Sequence, residues 1–306
     1  MAPKIIIDCD PGHDDAMALL MAGQHTEILG ITVVSGNAPL EATVRNTLIM
    51  SQVLGLDAPV HAGAARPLLA PPRHATHVHG ITGLDGPAHP ELNRTVESDD
   101  AVGFIIDTIR SNDDVWLVPI GPLTNIALAL RQAPDIADQV AGISIMGGSA
   151  TVGNVTSTGE FNVWADPDAA AIVFECGAKI LMAGLNLTHQ FCVTQDTIDA
   201  LRLMDSTVSN FSADLFDFYL KSNERQTSRA AAPLHDPCAV MAITHPELFE
   251  FQARHVVVET QGRHTRGMTV VDERGYGAEQ PNVEVEYGIH AEAAMSLFLD
   301  SVRAYG

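Results

Sequence analysis

The chain has 306 residues, 46% of them hydrophobic and 18% charged, which suits a globular fold with a sizeable core and excludes a disordered chain. The formal net charge is −21, an acidic field that repels phosphate backbones and anionic lipid. No nucleic acid and no membrane is therefore expected among the partners, and a neutral small molecule or a cation suits the field better.

The four cysteines (Cys9, Cys176, Cys192, Cys238) are scattered and form no CxxC pair. They read as reduced thiols of a cytoplasmic protein. The opening Met-Ala-Pro-Lys carries no signal-peptide core, and no apolar run approaches the ~18 residues of a membrane span.

In chain order, Lys4–Asp10 and Ile28–Val34 are predicted as strands. The stretch 63–96 is rich in Pro, Gly and His and reads as a long irregular loop, a feature that is usually functional. Asp99–Arg110 is predicted as a helix, with Val102, Ile105, Ile106 and Ile109 on one face and Ser98 as its cap. Val115–Ile120, Ile143–Met146 and Lys179–Ala183 are strands, and Asp166-Pro167 opens a helix. Near-continuous Ile, Val and Leu in these strands suit a parallel sheet buried on both faces. The segment Asp236–Thr244 is helical, with Asp236 as a cap before Pro237. Arg254–Glu259, Met268–Val271 and Val283–Tyr287 are strands, and a last helix starts at His290. The expected fold is α/β: a single domain over residues 1–306, with an open, mostly parallel, Rossmann-like sheet flanked by helices. In such sheets ligands bind beyond the carboxyl ends of the strands.

The richest segment is Ile5-Ile6-Ile7-Asp8-Cys9-Asp10-Pro11-Gly12-His13-Asp14-Asp15, a strand, a tight turn and a helix start. Asp14 and Asp15 fall in the first helical turn, where the dipole favours acids. That does not account for Asp8 and Asp10 at the strand end. Carboxylates this close raise one another's pKa unless a cation or several donors satisfy them, and a hard divalent cation is the economical answer. An EF-hand is excluded, because Gly12 and Leu19 stand where its fifth and twelfth positions need acids.

Further along, Val115-Trp116-Leu117-Val118-Pro119-Ile120-Gly121-Pro122 runs a strand into a turn, exposing backbone carbonyls near Ile120. Met146-Gly147-Gly148, Asn154 and Gly159-Glu160-Phe161-Asn162 supply residue types that hold sugar hydroxyls, or that only satisfy turns. His235-Asp236-Pro237 sets a histidine, a candidate proton donor, beside another acid. His74, His77 and His79 have ligand-like spacing but lie in the Pro-rich loop without a helical frame.

Together these segments resemble the inosine-uridine-preferring nucleoside hydrolase family. The matches are Asp8-Cys9-Asp10-Pro11-Gly12-x-Asp14-Asp15, Ser35-Gly36-Asn37, Pro119-Ile120-Gly121-Pro122-Leu123-Thr124-Asn125, Met146-Gly147-Gly148, Gly159-Glu160-Phe161-Asn162 and His235-Asp236-Pro237, in family order. The resemblance implies hydrolysis of the N-glycosidic bond of ribonucleosides to ribose and free base, in nucleoside salvage. It implies Ca²⁺ held by Asp10, Asp15, Asp236 and the Ile120 carbonyl. Asp10 would also be the base for water, and His235 would protonate the leaving group. Asp14, Asn37, Asn154, Glu160 and Asn162 would grip the ribose, Met146 and Phe161 would line the pocket, and His79 would close over it. Asp8 would support the acidic cluster from behind. Hydrolysis would pass through an oxocarbenium-like state, as in glycosidases. His13 resembles the pyrimidine-leaning members. The segment Phe211–Arg229 is expected to pack over the base, and a homotetramer or homodimer is implied. Two rivals stand: an Asp-x-Asp phosphatase, for which Gly12 is the wrong residue and Lys179 the wrong strand end, and a catalytically silent nucleoside- or calcium-binding protein on the same fold.

Overall fold

The computed structural model describes residues 2–277 and 279–306. The strands are β1 (Lys4–Cys9), β2 (Glu27–Val33), β3 (Val60–Ala62), β4 (Val115–Pro119), β5 (Gly142–Met146), β6 (Ile180–Ala183), β7 (Cys192–Val193), β8 (Ala232–Pro233), β9 (Phe249–Arg254), β10 (Val256–Val258), β11 (Thr269–Val271) and β12 (Val283–Ile289). The helices are α1 (His13–His25), α2 (Leu40–Leu54), α3 (Thr76–His79), α4 (Ala101–Ser111), α5 (Thr124–Gln132), α6 (Phe161–Ala165), α7 (Pro167–Phe174), α8 (Leu185–Thr188), α9 (Gln195–Met204), α10 (Thr207–Thr227), α11 (Pro237–Thr244) and α12 (Ala291–Arg303).

Eight strands form the central sheet in the order β3-β2-β1-β4-β5-β6-β12-β9. Every pairing is parallel except that of β9, which runs antiparallel to β12 at the edge. The pleat sends alternate side chains to opposite faces. Ile5, Ile7 and Cys9 of β1 therefore join α1, α2, α10 and α11 in one apolar cluster. Ile6 joins α4, α5 and α7 in another. Burial on both faces is why these strands carry unbroken apolar runs.

Strand order reverses between β1 and β4. Chains leaving these two neighbours diverge and open a crevice at their carboxyl ends, the switch point where ligands bind in open α/β sheets. Asp10 follows β1 and Ile120 follows β4, so both stand at its mouth.

Several expectations need correction. Asp100, not Ser98, caps α4: its carboxylate accepts the Gly103 N–H at 2.8 Å. The Ser98 hydroxyl instead accepts the Asp100 N–H and meets His61, so it makes the turn that precedes the cap. The Arg254–Glu259 strand is two strands. Arg254 ends β9 in the main sheet, whereas β10 pairs with β11 in a separate two-stranded sheet. Asp236 stands at the start of α11 without capping it: its backbone is already helical (φ −67°, ψ −36°) and its side chain makes no cap bond. The long loop contains a helical turn, α3. Its first part is tied down where the Ala64 N–H reaches Asn125 and the Leu68 N–H reaches Asp166, both at 2.8 Å. Asp166 caps α7 as expected, accepting from Ala169.

Candidate active site

The residues after β1 turn tightly. The Asp15 carboxylate reaches back to the N–H groups of Asp10 and Gly12, at 3.1 and 2.9 Å, and so closes the first turn of α1. Asn37 braces the turn from the β2 side. Its backbone N–H donates to Asp10 Oδ2 at 2.5 Å, and its amide donates to the Asp10 carbonyl and to Asp15 Oδ2. The Asp10 carboxylate lies between two bare glycines: a Cβ on Gly36 would come within 2.0 Å of Oδ2, and one on Gly121 within 2.4 Å of Oδ1. Behind it, Asp8 Oδ1 accepts from Thr32 and Asn125, at 2.6 and 2.7 Å.

These carboxyl groups are buried. Asp8, Asp10 and Asp15 have no exposed surface, and Asp14 and Asp236 very little. Burial, then the neighbouring acids, pushes Asp10 and Asp236 well above the ordinary carboxylate range and Asp14 up to about 8. Burial takes Asp8 up to about 7. Burial also raises Asp15, whose carboxylate lies within 4.8 Å of that of Asp236. No cationic side chain is within hydrogen-bond reach of them among the described residues.

A hard cation fits this arrangement. Asp10 Oδ1 is buried without a hydrogen-bond partner, and oxygens of Asp14, Asp15 and Asp236 all lie within 4.8 Å of one another. Such a donor set matches calcium-type ions and no soft metal. Asp10 is not part of that tight triple; its Oδ2 accepts from Asn37 and its Oδ1 has no partner among the described residues. The Ile120 carbonyl accepts the Asn162 amide at 3.0 Å, which leaves one lone pair unused.

One cavity covers the cluster. It is lined by Asp14, Asn37, His79, Ile120, Met146, Asn154, Glu160, Phe161, Asn162, His235 and Asp236. Asp10 and Asp15 lie beneath this lining, not in it. Glu160 is less free than its sequence context suggests: its carboxylate caps α6 and accepts the N–H groups of Gly148, Asn162 and Val163. Asn154 is likewise engaged, accepting the Phe161 N–H. The Asn162 amide also donates to the Met146 carbonyl, so one side chain orients two carbonyls on the pocket floor.

At the other end the cavity is walled by α10 and the His235 strand end. Tyr219, Asn223, Gln226 and Thr227 of α10 line it, within the segment expected over the base. His189 and Thr188 were not legible in the sequence. His189 lines the cavity, and Thr188 Oγ1 holds His235 Nδ1 at 2.7 Å. Burial, with His189 nearby, lowers the His235 pKa to about 3, so its ring is neutral. His74 and His79 do not converge on a metal: His74 Nδ1 meets the Gly36 carbonyl, and His79 Nδ1 meets His13.

Comparison with known proteins agrees with this geometry. Residues 5–296 match the family described as inosine-uridine preferring nucleoside hydrolase. The chain is 39% identical to the pyrimidine-specific ribonucleoside hydrolase RihB of Escherichia coli O157:H7, over 99% of this chain and 97% of that one. Among solved structures it superposes on the purine-preferring ribonucleoside hydrolase from Gardnerella vaginalis with a TM-score of 0.93, at 33% identity, covering 99% of this chain and 98% of that one. A plant nucleoside hydrolase gives a TM-score of 0.92 at 30% identity, covering 99% and 100%. The chain belongs to the inosine-uridine preferring nucleoside hydrolase family and is an N-glycosyl hydrolase of nucleosides.

Proposed function

We propose that the enzyme hydrolyses pyrimidine ribonucleosides in preference to purine ones, with Ca²⁺ held by Asp10, Asp15, Asp236 and the Ile120 carbonyl. The observation that carries the metal-dependent reading is the buried acidic cluster at the switch point, with one carboxylate oxygen left without a partner. The 39% identity to a pyrimidine-specific relative supports the base preference.

When bound, Ca²⁺ supplies a positive charge that lowers the pKa of a water and favours ribose hydroxyls as further oxygen ligands. Asp10 takes the proton from the attacking water. Its Oδ2 is pinned by Asn37, so Oδ1 is presented in a fixed orientation. Asp14, Asn37, Asn154, Glu160 and Asn162 face the ribose. Positive charge grows on the sugar as the bond to the base breaks, and the negative pocket stabilises it where it forms. His235 assists the leaving base. We assign the tautomer in which Nδ1 accepts from the Thr188 hydroxyl 2.7 Å away; the neutral ring then carries its proton on Nε2 and offers it to the base as a hydrogen bond.

The test is release of ribose from uridine, cytidine, inosine and adenosine, assayed as reducing sugar. Uridine and cytidine are expected to be cleaved fastest, EDTA to abolish the reaction and added Ca²⁺ to restore it. Ribose release that survives EDTA removes the metal. No ribose from any nucleoside with calcium present removes the function.

A further inference from the structure

His13 is fully buried and does not line the cavity, yet its ring touches both ends of the segment that carries His79. His79 Nδ1 lies 3.0 Å from His13 Nδ1 and 3.3 Å from the His13 backbone N–H. His79 Nδ1 can use one of the two at a time, accepting the backbone N–H or donating to the ring, and both partners belong to one residue. The other ring nitrogen of His13, Nε2, lies 2.8 Å from the Asp85 carbonyl. Asp85 in turn closes the loop: its carboxylate accepts the N–H groups of Ile81 and Thr82, and its own N–H donates to the His79 carbonyl.

The ring is held on its faces as well. Phe218 of α10 stacks on His13 with centroids 5.2 Å apart and planes 2° from parallel, and His79 stacks at 5.3 Å. A Cβ on Gly12 would come within 2.6 Å of the His79 ring, so only bare backbone lets that ring lie against the turn.

We propose that His13 is a positioning residue for His79: it occupies His79 Nδ1, fixes residues 79–85 against the turn before α1, and leaves only Nε2 of His79 to face the substrate. The claim rests on the cavity being the nucleoside site. Mispositioning a group that touches substrate by about 1 Å costs on the order of 10²-fold in rate.

The test is a double-variant cycle on uridine hydrolysis, with calcium affinity measured separately by titration calorimetry on the free enzyme. His13→Leu is expected to lower kcat by ~10- to 100-fold with calcium affinity within about twofold of wild type. His13→Gln, which retains a donor for the Asp85 carbonyl and guards against a folding failure of the leucine variant, is expected to recover part of the rate. In a His79→Ala background the same His13 changes are expected to alter kcat less than about twofold, because the group they position is gone. Losses that multiply in the double variant overturn the proposal. So does a fall in calcium affinity that parallels the fall in rate, which would place the effect in the acidic turn. Wild-type enzyme without ribose release defeats the proposed function, a result distinct from either of these.

Discussion

Glu286 offers a measure of how the fold handles acid that no ion compensates. It sits on β12 with no exposed surface, and neither carboxyl oxygen has a hydrogen-bond partner among the described residues. Burial alone raises its pKa well above 4.5. A buried polar group left unpaired costs ~1–3 kcal/mol. Glu286→Met keeps the volume and removes both oxygens, so it is expected to stabilise the protein by about 2 kcal/mol at pH 8. Unfolding entropy of about 2.1 cal/mol/K per residue means ~1.5 °C per kcal/mol for a chain of this size, hence a rise in Tm of about 3 °C.

The pH dependence has a definite sign. With the folded pKa above the unfolded one, the contribution of Glu286 to stability is fully present below pH 4.5 and is lost as pH rises through the folded value. The gain from Glu286→Met must therefore shrink towards pH 4.5. Glu286→Gln must remove the pH-dependent part and keep the unmet hydrogen bonds. Scanning calorimetry of the three proteins at pH 5 and pH 8, in saturating calcium, reads both effects. A methionine variant that is less stable than wild type by about 1 kcal/mol or more, with the same pH slope, would refute the reasoning, since Glu286 would then have a partner.

Two further predictions concern turnover. Asp10→Asn keeps the shape and the Asn37 contact but removes the base, and should reduce kcat by ~10³-fold or more with a native circular dichroism spectrum; near-normal turnover would take the base role from Asp10. His235→Ala should slow uridine by ~10²-fold or more and p-nitrophenyl riboside much less, because that leaving group needs no hydrogen bond from the enzyme; equal losses would take His235 off the leaving base.

The first third of the site was legible because it is local. Asp8, Asp10, Asp14 and Asp15 fall within eight residues, and strand, turn and helix start are all short-range signals. The alternation of apolar runs and helices likewise fixed the open parallel sheet, and with it the edge on which to look. What escaped depends on contacts between distant segments. Thr188 and His189 carry no motif, and their place beside His235 exists only once folding brings residues nearly fifty apart into contact. The acid of Asp236 read as a cap because Asp before Pro usually is one, whereas its carboxylate stands within 4.8 Å of those of Asp14 and Asp15, more than two hundred residues away in the chain. Glu160 reads as a sugar ligand by type, and the sequence does not show that its carboxylate also holds three backbone N–H groups. The split of Arg254–Glu259 was hidden because both halves are β-prone, and only the partner strand tells them apart.

The Asn125 side chain has a consequence for how the molecule opens. It donates to Asp8 Oδ1 on β1 and to the Val33 carbonyl at the end of β2, and it accepts the N–H of Ala64 where the long loop departs. Three segments thus share one amide, and Gly63 must be bare because a Cβ there would collide with it. Fluctuations of the loop are therefore insulated from the sheet. Ala64 stays fixed at the root of the loop, and releasing it means breaking its bond to the fully buried Asn125 amide. In hydrogen exchange the Ala64 amide should report the global unfolding of the protein, although it lies at the root of its most irregular segment.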